Sequence, residues 1–528
     1  MALSGGHLID GKWRRDGGGG FNCFNPATGE ALEPKFAEAA KEQVDAAMHA
    51  APFALHDSAS LEARWPARLL DSIAECILKL GDSLLDRAGA ETALPNARLI
   101  SERARTVGQL AMFAQLVKDG AWVDAVIDTA DPSRKPIPKP DIRRMFRPRG
   151  TVVVLGASNF PFAFGVVGGD TAAALAVGNP VIVKGHPSHP GTSELLASAV
   201  LEALESQNLP RGLFALLQGR SHELSAQLVT HAETRAVGFT GSRQAGRALF
   251  DLAAARPEPI PVYAEMGSLN PVVILPGAIR DRAQAIAREL CASILLGGGQ
   301  FCTKPGVILV FGPADPFVNT LQQQISATGP VTMLNQPMRD SLAARVLEWS
   351  KIPGVDVLTA SSPSGFASVS PALFHTRAAV FMREPHLQEE AFGPAAVVVE
   401  CSEIDDAQSV LRCIGGSLTG TIHIGPDDDA KPILSMMQEL VGRIVVNGYP
   451  TGVEVCDAMM HGGPYPATTD ASMTSVGAAS IRRFVRAIAY QNIPDDLLPP
   501  ALQNANPLGI ERTINGQRTK ARIEQSRV

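Results

Sequence analysis

Of the seven cysteines, one sits where the backbone can serve covalent chemistry. Cys302 lies in GGGQFCTKPG (297–306), a glycine-rich loop that reads as the passage from a helix to a strand. Glycines let backbone approach a ligand closely, and the N–H groups at and around Cys302 can hold a developing oxyanion. A thiolate there is a nucleophile for an electrophilic carbon. Cys23, Cys76, Cys291, Cys401, Cys413 and Cys456 have no such setting and read as small hydrophobes. A thiol nucleophile needs a base, and no papain-like or caspase-like histidine signature is present. Instead YAEMGSLNP (263–271) places Glu265 after a strand and before a Met-Gly turn, at the junction of two α/β segments. A carboxylate in such a cleft is expected to have a raised pKa and to act as a general base.

Two further turns suit phosphate and ribose. GFTGSRQAG (238–246) sets Gly241 and Gly246 around a strand-to-helix turn, with the Ser242 hydroxyl and free helix amides available to a pyrophosphate. It lacks the GxGxxG fingerprint, so taken alone it reads equally as a tight β–α turn. In VIVKGHPSHPG (181–191), Lys184 ends a strand, where ligands of open parallel sheets bind, and can reach ribose hydroxyls.

The elements that must position these residues are legible as alternation. Short Val/Ile/Leu runs at 152–155, 181–184, 213–217, 236–239 and 261–263 are separated by helical stretches at 168–177, 192–207, 221–231 and 243–254. That is the pattern of a parallel sheet covered on both faces, a Rossmann-type arrangement. A second alternation starts at Val272, with a strand to 275, a helix over 280–296 and a strand over 307–311. The N-terminal third is mainly helical, at 61–80 and 97–119, and is expected to wrap the first sheet. The expected division is a nucleotide-binding domain (1–131 and 151–264), a catalytic domain (265–470) and a β arm from 132–150 and 480–495. The beta-prone, basic arm suits strands that pair with another subunit in a homodimer or homotetramer, an ordinary surface hairpin being the alternative. The uncharged stretch 150–169 has the length of a membrane span, yet Ser158, Asn159, Pro161 and five glycines make it a buried strand and turn.

Composition narrows the function classes. With 528 residues, 45% hydrophobic and 19% charged, the chain is neither disordered nor a small stapled scaffold. Its 47 Lys plus Arg against 53 Asp plus Glu give no electrostatic reason to bind nucleic acid or an anionic membrane. An odd cysteine count without CxxC or zinc spacing points to reduced thiols, no metal site and the cytosol. The N-terminal stretch has no apolar run of signal-peptide length, so export is not expected.

Taken in order along the chain, GASNFPF, VIVKGHP, FTGS, AEMGSLNP, GGQFCTKPG and EEAFGP resemble the motif set of the aldehyde dehydrogenase superfamily. The resemblance implies an aldehyde dehydrogenase-like α/β fold. It implies Cys302 as nucleophile, Glu265 as general base and Asn159 as side-chain donor to the oxyanion beside the Cys302 amide. It further implies Lys184 and Glu390 on the two riboses, Phe392 near the nicotinamide ribose, and Gly241 with Ser242 at the pyrophosphate. The implied reaction runs through a thiohemiacetal and a thioester on Cys302, the thioester being hydrolysed by water that Glu265 activates. Longer phrases, among them ARLISERARTVGQLAMFA and MMHGGPYPATTD, resemble the branch of 2-oxoglutarate-semialdehyde (2,5-dioxopentanoate) dehydrogenases, a branch that also holds long-chain aldehyde dehydrogenases. An anionic substrate would want arginine forks, for which Arg103 and Arg105 are candidates, with solvated helix charges as the plain alternative. Where many NAD-preferring relatives carry a glutamate three residues after the ribose lysine, this chain has Pro187. Losing that carboxylate removes repulsion of a 2′-phosphate, so either NAD or NADP is expected, with NADP favoured. His186, Ser188, His189 and Arg220 are the candidates to meet the phosphate. Ser158, before Asn159, replaces an aromatic residue of many relatives. The competing readings are a medium- or long-chain fatty aldehyde dehydrogenase and, in another class, a thiol hydrolase acting on esters.

Overall fold

The computed structural model describes residues 2–524. Strands Val152–Leu155, Val181–Lys184, Phe214–Leu217, Ala236–Thr240 and Val262–Glu265 form a parallel sheet. Their interiors are fully buried Val, Ile and Leu, the composition that a strand covered on both faces requires. Val152–Leu155 lies centrally, flanked by Val181–Lys184 on one side and Ala236–Thr240 on the other. Strand order therefore reverses beside it, which opens a crevice at the carboxyl ends of the strands. The hairpin His7–Ile9 and Lys12–Arg14 extends the far edge antiparallel through Leu8 and Leu216. Helices Gly169–Ala176, Pro190–Ser206, His222–Thr230 and Arg243–Ala254 connect the parallel strands.

The N-terminal helices Trp65–Lys79 and Asn96–Asp119 pack on this sheet. Leu69, Leu70, Ile73 and Phe113 share one core with Val152, Val181 and Leu196. The stretch 150–169 is a buried strand followed by turns, and among the described residues no helix is long and apolar enough to cross a membrane.

A second seven-stranded sheet is ordered Val355–Thr359, Ala372–Arg377, Ala395–Cys401, Val307–Phe311, Val272–Ile274, Ser417–His423 and Val441–Val446. All its pairings are parallel except that of Val355–Thr359. The helix expected over 280–296 begins earlier, at Pro276, because proline is well suited to the first helical turn. A third sheet holds both segments of the expected arm. Val485–Gln491 pairs antiparallel with Ile142–Pro148 of the same chain, from Val485 opposite Pro148 to Gln491 opposite Ile142. The two segments thus satisfy one another, in a five-stranded sheet with Val126–Asp128, Arg512–Ile514 and Gln517–Thr519, and Val485–Gln491 is its edge strand.

Candidate active site

The candidate residues of the first sheet all lie at or just beyond the carboxyl ends of its strands. Asn159 follows Val152–Leu155, Lys184 ends Val181–Lys184, Gly241 and Ser242 follow Ala236–Thr240, and Glu265 ends Val262–Glu265. Cys302 approaches from the second unit, between helix Pro276–Leu295 and strand Val307–Phe311. Its loop turns sharply because Gly297, Gly298 and Gly299 all have left-handed φ, at 59°, 68° and 70°. A Cβ on Gly299 would stand 2.4 Å from the Gly393 backbone, so glycine there lets the nucleophile loop lie against the 390–394 turn.

Side chains remote in sequence fix this loop. Asn270, fully buried, donates through Nδ2 to the carbonyls of Cys302 (2.8 Å) and Lys304 (2.9 Å), while its Oδ1 accepts from Thr419 and Ser268. The buried Lys304 ammonium donates to the carbonyls of Ala391 (3.0 Å) and Ala395 (2.7 Å), tying the nucleophile loop to the turn that carries Glu390 and Phe392. Asn159 donates through Nδ2 to Gln300 O at 2.9 Å.

At the centre is a histidine that the sequence did not assign. His461 Nε2 lies 3.4 Å from Cys302 Sγ and 3.0 Å from Glu265 Oε1, and Ser475 Oγ donates to Glu265 Oε2. Glu265 and His461 are 3% and 2% exposed, so these contacts are made away from bulk water. His461 is delivered by a loop that pairs beside the strand end, where Glu265 bridges Thr468 and Met266 N–H donates to Ala467 O. It is held there by its own N–H on Thr474 and by Ser475 N–H on its carbonyl. No local motif could reveal it, since it stands 159 residues from Cys302. The one signal was its place in MMHGGPYPATTD.

The electrostatics correct the expectation of a raised Glu265. Burial pushes its carboxyl up, but the charge and hydrogen bond of His461, with hydrogen bonds from Ser475 and Cys302, outweigh that and hold it below the ordinary carboxylate value. The Cys302 thiol moves the other way. Burial, then the Glu265 charge, push it well above its ordinary value. The resting pair is therefore a thiol beside a carboxylate that accepts its hydrogen, with His461 Nε2–H donating to the same carboxylate. Glu265, Cys302 and His461 also offer three ligand atoms within 4.8 Å of one another, a set that a thiophilic divalent ion would fit, although no metal was expected from the sequence.

Across the crevice the donors suit a dinucleotide. Gly241 and Ser242 are exposed at the N-terminus of Arg243–Ala254; Ser242 Oγ accepts from Ala245 N–H at 3.2 Å, leaving its own hydrogen to donate. Burial lowers the Lys184 ammonium to about 8, against the pull of the Glu38 carboxylate, which sequence reasoning missed. Glu390 is partly buried against Gly267, and burial pushes it up despite Lys304. Phe392 follows on the same turn, partly buried. Of the candidates for a 2′-phosphate, His189 is turned inward onto Ala157 O and fully buried. Ser188 Oγ is occupied by Asn335 Nδ2, and His186, partly buried, has its pKa pushed well below the ordinary value by burial. Arg220 is exposed.

A parallel sheet with a switch-point crevice, facing a thiol on a glycine loop beside a buried His–Glu pair, is the setting of a nucleotide-dependent enzyme. The chain belongs to the aldehyde dehydrogenase family, whose model matches residues 13–470, and is an NAD(P)-dependent enzyme of that family. It is 46% identical over 525 residues to alpha-ketoglutaric semialdehyde dehydrogenase 2 of Azospirillum brasilense, covering 98% of this chain and 100% of that one. It is 41% identical over 491 residues to an alpha-ketoglutaric semialdehyde dehydrogenase of Acinetobacter baylyi, covering 92% and 93%. Among solved structures, 3,6-anhydro-L-galactose dehydrogenase in complex with NAP superposes with a TM-score of 0.79 at 22% identity, over 92% of this chain and 99% of that one.

Proposed function

We propose that this chain oxidises 2-oxoglutarate semialdehyde (2,5-dioxopentanoate) to 2-oxoglutarate. The near-full-length similarity to two alpha-ketoglutaric semialdehyde dehydrogenases supports the substrate. The placing of His461 Nε2 between Cys302 Sγ (3.4 Å) and Glu265 Oε1 (3.0 Å), with Ser475 on the other carboxylate oxygen, is the observation that carries the chemistry.

Glu265, held ionised, takes the thiol proton as Sγ attacks the aldehyde carbon, and His461 Nε2–H is 3.4 Å from the sulfur to stabilise the forming thiolate. One Asn159 N–H is used on Gln300, so the second remains, with the Cys302 N–H, for the oxyanion. NAD(P), when bound, supplies the acceptor for the hydride that leaves the thiohemiacetal carbon as its carbonyl re-forms. Glu265, having released the thiol proton to solvent, then takes a proton from the water that attacks the thioester, and Cys302 departs as a thiolate facing His461 Nε2. A thiol so far from spontaneous ionisation reacts only where this carboxylate can accept its proton, which limits side reactions of free Cys302.

Lys184 and Glu390 hold the riboses, Gly241 and Ser242 the pyrophosphate, and Phe392 packs near the nicotinamide ribose. With Pro187 in place of a carboxylate and Arg220 exposed, both NADP and NAD are accepted, NADP with preference. The domains are 1–131 with 151–264 for cofactor and 265–470 for catalysis, and the open edge of Val485–Gln491 pairs with a second subunit in a homodimer or homotetramer. Seven free cysteines suit the cytoplasm.

The test is the initial rate of cofactor reduction with 2-oxoglutarate semialdehyde, run with NADP and NAD in parallel and against hexanal and decanal. Turnover of the oxo-acid aldehyde at a kcat/KM well above the alkanals is expected. Better rates on decanal would overturn the substrate and leave the chemistry standing, whereas ester hydrolysis without nucleotide reduction would overturn both.

A further inference from the structure

Of Arg98, Arg103, Arg105 and Arg443, only Arg105 and Arg443 feel the Cys302 charge, and the hydrogen bonds of the four separate them further. Arg103 donates through Nη1 to Gly81 O at 2.9 Å, tying the interior of helix Asn96–Asp119 to the start of helix Gly81–Thr92. Arg443 donates to the carbonyls of Pro450 and Gly452. Arg98 donates to Asn159 O at 2.8 Å and is sandwiched between the Phe160 and Phe301 rings, 4.6 and 4.5 Å from their centroids. Its Nη1 is also buried without a hydrogen-bond partner among the described residues, but it is a single donor closed off by Gly297, where a Cβ would come within 2.4 Å. Arg98 is therefore part of the scaffold beneath the oxyanion donor and the nucleophile.

Arg105 is different. Its guanidinium stands over Phe160 at 5.8 Å and Phe164 at 5.7 Å, while Nε and Nη2 are buried without a hydrogen-bond partner among the described residues. Those two rings frame the reacting atoms. Phe160 follows Asn159 and packs edge-on against Phe301, the residue before Cys302, and Phe164 packs against the His461 ring. Glu102, one turn back on the same helix, is committed through Oε1 to the amides of Phe162 and Ala163; its Oε2 lies 4.0 Å from Arg98, and its charge reaches Arg105 without making a hydrogen bond to it. Burial of an arginine fork without an acceptor is costly unless an anion completes it.

The geometry points to Arg105 as the residue that binds the substrate carboxylate, a fork one aromatic layer out from Cys302 that selects short aldehydes carrying a terminal anion over neutral ones. This rests on the substrate reading above, and it names the group that makes the distinction. A planar guanidinium pairs with a carboxylate through two parallel N–H donors, a match that lysine, a point charge, does not reproduce. The Phe160 and Phe164 rings on which Arg105 rests hold the fork in position and exclude water from one of its faces.

The experiment compares wild type, Arg105→Met, Arg105→Lys and the control Arg103→Gln on 2-oxoglutarate semialdehyde and on pentanal, a neutral aldehyde of equal carbon number. Arg105→Met is expected to lose about 10- to 100-fold in kcat/KM on the oxo-acid aldehyde, chiefly through KM, and to stay within about threefold on pentanal. Arg105→Lys recovers part of the loss, and Arg103→Gln keeps the wild-type ratio. Retained pentanal turnover in Arg105→Met shows that the variant is folded. Equal losses on both aldehydes would overturn the assignment, since they would mean that Arg105 only supports the site. An unchanged ratio in Arg105→Met, with wild type still selective for the oxo acid, would overturn Arg105 alone and leave the substrate standing. A wild type that is not selective would overturn the substrate reading and this assignment together.

Discussion

Around the proposed nucleophile, Glu265 and His461 are nearly inaccessible to water, and His461 contacts Glu265 and Cys302 across 196 and 159 residues of chain. On the other side of the same crevice, Gly241 and Ser242 are exposed, and the Ser242 hydroxyl bonds only three residues along its own helix. The proposed reacting end is assembled by tertiary structure; the proposed phosphate end is a property of one strand-to-helix turn. Buried charges are tolerable only when partners are fixed in advance, so the reacting end must be rigid and specific. Hydrated turn amides carry no such penalty, and their affinity comes from adding several weak contacts. Substitutions at the first end should therefore change chemistry steeply, and at the second should change affinity gently.

The steepest test is Cys302→Ser. Its hydroxyl is far harder to ionise than the thiol, so dehydrogenase turnover should fall by about 10⁴-fold or more while nucleotide still binds, as read by fluorescence titration. Turnover within tenfold of wild type would break the comparison, because the buried end would then not be the reacting end. Next comes His461→Gln, which removes the group that holds the Glu265 carboxyl down while leaving the burial that pushes it up. The Glu265 pKa should rise, so kcat should drop by about 10² and the acid limb of its pH profile should move to higher pH. Linkage to stability gives a second readout: a carboxylate depressed in the folded state stabilises the protein above its unfolded pKa and loses that contribution as pH falls through the folded value, so the variant should be less stable than wild type near neutral pH, with the difference vanishing on acidification. An acid limb that stays in place would remove His461 from the proton path.

The contrast also explains what could be read from the amino-acid order. The five parallel strands, their connecting helices and the Lys184, Ser242 and Glu265 strand ends follow from local alternation, because a strand buried on both faces needs an unbroken apolar run. Cys302 stood out because three glycines precede it. His461, Asn270 and Lys304 were not assigned, since their roles exist only after the chain between Glu265 and Ser475 has folded back on the strand end. The lowered Glu265 pKa depended on the same missing histidine. Arg103 and Arg105 could not be told apart two residues from each other, because what separates them is a carbonyl at Gly81 and the faces of two phenylalanines. The pairing of 142–148 with 485–491 was hidden for the opposite reason: beta propensity identifies a strand and says nothing of which strand it meets.

Lys304 and Ser242 supply the smaller effects, one at each end of the comparison. Lys304→Met removes two hydrogen bonds from a buried ammonium and leaves the Ala391 and Ala395 carbonyls unpaired, at a cost of about 2–4 kcal/mol, visible as a lower midpoint in denaturant. Ser242→Ala should be the mildest. It loses an N-cap worth about 1 kcal/mol to one helix and one donor to the pyrophosphate. If the phosphate end adds weak contacts, KM for nucleotide should rise a few-fold with kcat unchanged, and Ser242→Thr, which keeps both the cap and the hydroxyl, should restore it. A collapse of kcat in Ser242→Ala, with its denaturation midpoint held, would show that the exposed turn is coupled to the buried cluster. The backbone route for such coupling is short: Gly241 N–H donates to Glu265 O at 3.0 Å, so a shift of the turn would move the base itself.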